Sequence, residues 1–550
     1  MEAPRRPGAR ASMGPMSDEP ARPTRLAALM GAVTLTSRGI GFVRIWVIAT
    51  ILGTTYLGNT YQASSSVSNI LFELLAAGAL SAVLVPTFVK HLDRGDDAEV
   101  ERLASGVLGI ALVALGSVAV VAFFAAPWIA DLLTTGAPNA AIEAQQQELS
   151  TFLLRFFVFQ VILYGVGTVS TAVLYAKRRP VAAAAAPIAN TVAVVAAMLV
   201  FRAMTGPDPG LDLTGTEQLV LALGGTLGVL GFVGVPTVAL LRSGFRFRPR
   251  IGRPNAALRE LLGHSTWAIL QHGGIGILLA TAMVMGNRVE GGVIAYQLAF
   301  VAIMAPYAIL AMPVHTTILP DLTNDAHRGA YAAFAQTLRW ALDAMALFVV
   351  PVSAAMVALA LPAMRAISVG DTDPDLLAAA LASLALGLYP YSVFLLFARA
   401  GYALGDSRTP AIVAILTAAA GAAVNIAIGL NVHGDARVAA MGIGHTTAYL
   451  LGALVLAWIL RRRLGHVLWT PTLLKALVPS VVLAGVAWWV THTFEPDSRL
   501  GTIVLLVVVG AVGALCYLGV VRVIRRGTPD HPGGTEPALV PDDPDTAIGE

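Results

Sequence analysis

Five residues of one early segment, Thr34, Ser37, Arg38, Gly41 and Arg44, are spaced so that a helix would carry them together. At about 100° per residue they fall within an arc of about 120°, and the rest of that helix is apolar. Two arginines on such a stripe suit an anionic ligand, and a lipid pyrophosphate is the obvious anion at home in a membrane. The alternative is that one or both snorkel to an interface. The next apolar segment sets Ser66, Asn69, Glu73 and Ala77 on one face, with Glu73 near its middle. Glu73 either compensates an arginine of the first segment or acts as a protonatable coupling group. Gln271, His272, Gln297, His315, Arg399 and His445 lie inside later apolar runs, where hydrogen bonding between helices is the ordinary role. Arg155 and Asp343 read as interfacial. No Ser/His/Asp arrangement, phosphate-binding glycine loop or metal-ligand cluster is present, so neither catalysis nor a cofactor is expected.

The elements that position these residues follow from composition. Of 550 residues, 56% are hydrophobic and only 13% charged, and the mean hydropathy is +0.73, so most of this chain has lipid as its solvent. The net charge of +3 argues for no nucleic acid. The one cysteine, Cys516, lies in an apolar run and reads as a small buried group without a partner. Runs of about twenty apolar residues bounded by charge or by Pro/Gly/Asp clusters mark transmembrane helices. They fall near 26–53, 63–90, 104–126, 151–176, 181–203, 219–241, 266–286, 293–323, 333–361, 377–404, 410–430, 438–460, 472–494 and 500–522. The expected fold is therefore all-α and membrane-integral, with about fourteen spans. Residues 1–25 and 527–550, rich in Pro, Gly and charge, read as disordered tails.

Alternate loops differ sharply in charge. One set holds clusters such as Lys177-Arg178-Arg179, the six arginines of 242–259, and Arg461-Arg462-Arg463; the other is almost bare, with no Lys or Arg in 54–62 or 127–150. The positive-inside rule puts the first set, and both termini, in the cytoplasm. Two motif pairs suggest internal duplication: Leu84-Val85-Pro86 with Arg94-Gly95 against Ile318-Leu319-Pro320 with Arg328-Gly329, and Tyr175-Ala176 to Pro180 against Tyr402-Ala403 to Pro410. Both offsets are near six spans, so the repeat is parallel. It implies a first lobe over 26–241, a second over 242–460 and an extra helix pair over 461–526, around a central pathway.

The run Ser37-Arg38-Gly39-Ile40-Gly41-Phe42-Val43-Arg44, then Gly53, Asn69 and Gly78-Ala79-Leu80-Ser81 through Val85-Pro86, resembles the N-terminal signature of the MurJ/MviN flippases. That family typically shows S-R-x-x-G-x-x-R, an Asp at the turn, P-N-x-x-R-R and A-E-G-A-x-S ahead of V-P. Val173-Leu174-Tyr175-Ala176-Lys177-Arg178-Arg179-Pro180 running to Asn190, and Ala400-Gly401-Tyr402-Ala403-Leu404-Gly405-Asp406-Ser407-Arg408-Thr409-Pro410, extend the likeness over most of spans one to twelve.

The resemblance implies a flippase without covalent chemistry. It would move a lipid-linked peptidoglycan precursor (lipid II) from the inner to the outer leaflet of the bacterial cytoplasmic membrane, by the alternating access of the related multidrug and oligosaccharide exporters. Its partners would be that precursor, membrane lipids and proteins of cell-envelope synthesis. Arg38 and Arg44 fall on the family's cavity arginines, with Ser37, Asn69, Glu73 and Gln297 in the same cavity. Asn59, Gly78, Pro86, Pro320, Asp406 and Arg408 fall on turn and gating positions. The chain departs from the pattern at Asn59 for the turn Asp, at Phe72-Glu73 for the Arg pair, at Ala77 for Glu, and at Gln297, where the family often carries arginine. These departures leave two alternatives: export of another polyprenyl-linked saccharide or amphiphile, and a membrane scaffold that no longer transports.

Overall fold

The computed structural model describes residues 21–72, 78–248, 256–466, 468, 470–496 and 498–525, and within them the regular elements are all helical. In chain order these are α1 (Ala21–Leu52), α2 (Tyr56–Phe72), α3 (Gly78–Leu92), α4 (Asp97–Thr134), α5 (Ala140–Phe157), α6 (Gln160–Ala176), α7 (Val181–Thr205), α8 (Gly215–Arg242), α9 (Ala256–Gly286) and α10 (Gly292–Pro306). They continue as α11 (Met312–His327), α12 (Tyr331–Ala358), α13 (Ala360–Ile367), α14 (Pro374–Ala385), α15 (Leu388–Ala403), α16 (Arg408–Asn431), α17 (Asp435–Leu464), α18 (Thr472–Thr493) and α19 (Arg499–Arg525). Eleven helical stretches among the described residues are long and apolar enough to cross a membrane. The remaining expected spans, the first, second and seventh, coincide with α1, with α2 and α3, and with α9.

Helix ends follow local chemistry. Thr214 and Glu217 form a reciprocal capping box at the start of α8, and Asp96 Oδ1 accepts from Glu99 N at 3.0 Å at the start of α4. Gly465, with φ 70°, closes α17 in the left-handed region. The fourth and tenth spans are each broken in the middle, at Val158–Phe159 and at Leu386–Gly387. Phe159 and Gly387 stand 228 residues apart, close to the spacing of the sequence motif pairs.

The helices pack as two groups. In the first, α7 lies against α1 and α8, α6 against α3, α4 and α8, and α5 against α2 and α4; in the second, α16 joins α9 to α17, and α17 packs on α14 and α15. The crossing of α16 and α17 is very close, because a Cβ on Gly421 would lie 2.4 Å from Gly444 O; only glycine admits that approach. The last two helices lie outside both groups: α18 rests on α12, and α19 on α18 and α13. Their outward faces carry Val481, Val482, Val507 and Leu515, all more than half exposed, as a lipid-facing surface should. Cys516, expected to be buried, is exposed on α19, because in lipid an apolar environment does not require burial in protein.

One span is irregular. After Pro306 the chain makes a π-helical turn, Tyr307–Ala311, before α11 begins. Pro306, Pro313 and Pro320 follow one another at seven-residue spacing, and each removes a backbone donor from the helix ladder. The half before this turn, α10, touches α1 and α2 of the first group, while α11 packs on α12 and α15.

Candidate functional site

Between the two groups lies a cavity of about 600 Å³, walled chiefly by α1, α2, α7, α9 and α10, with Tyr391 of α15 and His445 of α17. Among the described lining residues Arg44 is the arginine. Arg44 Nη1 donates to Asn190 Oδ1 at 2.7 Å, which fixes one edge of the guanidinium, while Nε is buried and unpartnered. No carboxylate among the described residues pairs with it. Among the described residues its partner is the neutral Asn190, an arrangement that suits an anion.

The other polar groups are arranged around it. Tyr164 Oη donates to Asn69 Oδ1 at 2.9 Å, leaving the Asn69 amide free to donate. Gln297 lines the cavity with its Oε1 buried and without a partner. Tyr296 Oη and His445 Nε2 are 2.9 Å apart, and His445 Nδ1 is 3.1 Å from Met441 O. This pattern assigns the Nδ1-protonated tautomer, with Nε2 accepting from Tyr296. His445 is thus the interhelical hydrogen-bonding group the sequence suggested. Ser37 is buried on α1. Glu73 lies outside the described residues, and so do the side chains of Arg38, Pro86 and His272; Gly78 opens α3.

The arginine-poor end of the bundle is latched. Trp46 Nε1 donates to Ile367 O at 2.8 Å, and Thr54 exchanges backbone and hydroxyl bonds with Asp371 and Asp373. Asn59 clamps the turn before α10: its Nδ2 donates to Val289 O and its Oδ1 accepts from Val293 N, each at 2.9 Å. Gln146 and Asn287 pair face to face. Gly291 permits this closure, since at φ 71° a Cβ would lie 2.4 Å from Thr54 Cβ. The latch consists of neutral hydrogen bonds, so it breaks without separating charges.

The remaining turn residues sit at the opposite, arginine-rich end. Asp406 Oδ1 accepts from Thr409 N at 2.9 Å and Oδ2 pairs with Arg463 Nη1 at 3.3 Å, while the Arg408 guanidinium lies 5.4 Å from the centre of the Trp267 ring. These contacts fasten the α15–α16 turn to α17 and α9. Pro320 lines an open groove on α11 with Thr316, Thr323, Asn324 and His327. The structure thus brings Arg44, Asn69 and Gln297 to one cavity, Asn59 to the latch, and Asp406 and Arg408 to a separate turn.

Sequence reasoning did not single out Asn190, Tyr164 or Tyr296. Asn190 closes the recognised Tyr175 stretch and was the nearest signal; a tyrosine in an apolar helix gives none, because packing uses the same residue. Asp343, read as interfacial, lies within the 28-residue α12, one turn after Arg339. Arg155 is exposed on α5, its guanidinium 5.5 Å from the Phe123 ring centre. No group of three or more His, Cys, Asp or Glu able to hold a metal occurs among the described residues.

Residues 48–509 match the family model described as lipid II flippase MurJ. A probable lipid II flippase MurJ of Rhizobium tropici is 25% identical over 497 residues, covering 89% of this chain and 91% of that protein. The corresponding protein of Vibrio cholerae is 26% identical over 404 residues, 70% and 73% of the two chains. Among solved structures, a lipid II flippase MurJ in an inward closed conformation superposes with a TM-score of 0.72 at 18% identity, over 91% of this chain and 99% of that one. An inward-facing multidrug resistance MATE transporter of the MOP superfamily gives 0.59 at 13% identity, over 80% and 98%. The chain belongs to the lipid II flippase MurJ family.

Proposed function

We propose that this protein carries lipid II, or a closely similar undecaprenyl-pyrophosphate-linked cell-wall precursor, from the inner to the outer leaflet of the bacterial cytoplasmic membrane. The observation that carries this reading is Arg44: a guanidinium in a polar cavity, held by the neutral Asn190 and unopposed by a described carboxylate. Arg38, Ser37, Asn69, Glu73 and Gln297 complete the substrate path in this reading. The arginine-rich loops face the cytoplasm together with both termini, so the latched end is periplasmic. Residues 26–241 and 242–460 act as two lobes that rock about the cavity, with 461–526 as an accessory pair. Gly78, Pro86 and Pro320 turn the chain where helices must bend, and Asp406 with Arg408 holds the cytoplasmic turn of the second lobe. Partners in this reading are the lipid-linked precursor, the surrounding lipids and proteins of cell-envelope synthesis.

Gln297 favours a second reading, transport of a different polyprenyl-linked saccharide, because a neutral amide stands where the family often carries a cation. Complementation separates the two. A strain depleted of its own lipid II flippase grows when this chain is expressed if the first reading holds, and lyses despite normal membrane levels of the chain if it does not.

A further inference from the structure

The walls of the central cavity differ in chemistry. The first helix group supplies Arg44, Asn69, Tyr164 and Asn190, which carry charge, amides and a hydroxyl. The wall from α10, α15 and α17 supplies the rings of Tyr296, Phe300, Tyr391 and His445 beside the Gln297 amide, and none of its described lining residues is Lys, Arg, Asp or Glu.

These rings belong to one connected set. Tyr296 and Phe300 lie with centroids 6.0 Å apart and planes 24° from parallel, and His445 sits 5.4 Å from the first and 6.3 Å from the second. Tyr449 lies 6.0 Å from His445, and Tyr391 meets Tyr449 at 4.8 Å and Tyr307 at 4.9 Å, edge to face. Tyr296, Tyr307, His445 and Tyr449 are buried and form the support. Phe300 and Tyr391 are only half-buried and line the cavity, so part of each ring is left for a ligand.

A wall that had only to exclude water would be served by aliphatic side chains, as α9 serves it with Ile275 and Leu279. An aromatic face carries a negative quadrupole and attracts flat groups whose C–H bonds are polarised positive. Such faces, together with a few convergent polar groups, orient a ligand that is part apolar and part hydrogen-bonding. A hexopyranose is such a ligand: its ring C–H groups make an apolar face and its hydroxyls a polar rim. In a polyprenyl-linked saccharide it is bonded directly to the pyrophosphate, so with the anion at Arg44 the first sugar falls within the same cavity of about 600 Å³.

We propose that Phe300 and Tyr391 form a saccharide subsite of the central cavity, on which the first pyranose of the lipid-linked precursor stacks while Arg44 holds its pyrophosphate. The two rings are then specificity-determining residues of transport. This inference rests on the pyrophosphate-lipid reading above and holds for either saccharide considered there.

Binding to the purified full chain in detergent is measured for undecaprenyl pyrophosphate and for the same lipid carrying one N-acetylhexosamine without peptide, and the quantity read is the ratio of the two affinities. The sugar should tighten binding to the wild type by about tenfold. Phe300→Leu and Tyr391→Leu should each lower that ratio several-fold, whereas Tyr391→Phe, which keeps a ring, should preserve it; a Leu variant that does not fold is replaced by Met at the same position. Arg44→Ala should weaken both lipids alike. A wild-type ratio near one overturns the subsite and leaves the pyrophosphate reading standing. Equal weakening of both lipids by the Leu variants assigns the rings to the isoprenoid chain and also overturns it, as does a ratio that both variants leave unchanged. Failed complementation with the ratio intact sinks only the lipid II reading, and a wild-type protein that binds neither lipid sinks both.

Discussion

Gln146 and Asn287 hold one another by two reciprocal amide bonds, Nε2 to Oδ1 at 2.9 Å and Nδ2 to Oε1 at 3.0 Å, and join α5 of one helix group to the end of α9 in the other. Both side chains are fully buried, with exposures of 0% and 1%. Removing one partner leaves amide atoms of the other unpaired, at about 1–3 kcal/mol, whereas replacing both removes that mutual penalty and leaves only the loss of the Gln146 Nε2 contacts to Tyr56 O and Thr60 Oγ1. Gln146→Leu or Asn287→Leu alone should therefore lower the unfolding temperature, and the double variant should be less destabilised than the sum of the two. Strict additivity in thermal melts would show that the pair is not coupled.

Asn59 makes the neighbouring clamp on Val289 O and Val293 N. Asn59→Ala leaves Val293 N unpaired in the latched state only, while Val289 O keeps its bond from Gly292 N, because a state open at that end exposes the Val293 amide to water. A cost of about 2 kcal/mol corresponds to roughly thirtyfold in the ratio of closed to open molecules. Spin labels placed in the 135–139 and 432–434 turns should report longer distances in the variant. An unchanged distance distribution would mean that Asn59 does not bias the equilibrium.

The fold was largely legible because lipid makes a simple demand: a helix must satisfy its own backbone over about twenty apolar residues. That rule located α7, α8, α16 and α17 closely, and Arg44, Asn69 and Gln297 stood out as polar groups where polar groups are costly. What it could not reveal was pairing across the chain. Asn190 is separated from Arg44 by 146 residues and Asn287 from Gln146 by 141, and nothing local to either asparagine announces its partner. Mid-span breaks such as Val158–Phe159 were equally hidden, since hydropathy averages over them. The α2–α3 region, which carries Glu73, lies partly outside the described residues.

The Arg44–Asn190 bond makes a distinction between charge and shape testable. Arg44→Ala should abolish flipping in reconstituted vesicles at normal membrane abundance. Arg44→Lys keeps the charge but loses the planar fork, and should retain a small part of the rate. Asn190→Ala leaves the guanidinium in place but unfixed, costing about 1 kcal/mol of positioning, and should weaken apparent affinity several-fold with little effect on the maximal rate. Full activity in Arg44→Ala would remove this residue from the substrate path.

Gln297 offers a test of whether the cavity takes a pyrophosphate-linked lipid or an uncharged amphiphile. Its Oε1 is buried in the cavity wall with no partner, so replacing it sacrifices no existing hydrogen bond to that atom. Gln297→Arg adds a further guanidinium to the cavity that holds Arg44. In the empty cavity the like charges repel, which lowers stability; a pyrophosphate bound between them converts that repulsion into charge-assisted hydrogen bonds worth about 1.5–3 kcal/mol. If the substrate is pyrophosphate-linked, the variant should melt at a lower temperature when empty and bind such a lipid tenfold or more tightly, with the gain shrinking as salt is raised. If the cavity instead selects an uncharged amphiphile, the added cation only imposes desolvation, and binding should weaken at every salt concentration. Microscale binding measurements with the pyrophosphate-linked lipid and with its dephosphorylated polyprenol separate these outcomes, because only the first ligand should gain affinity from Gln297→Arg.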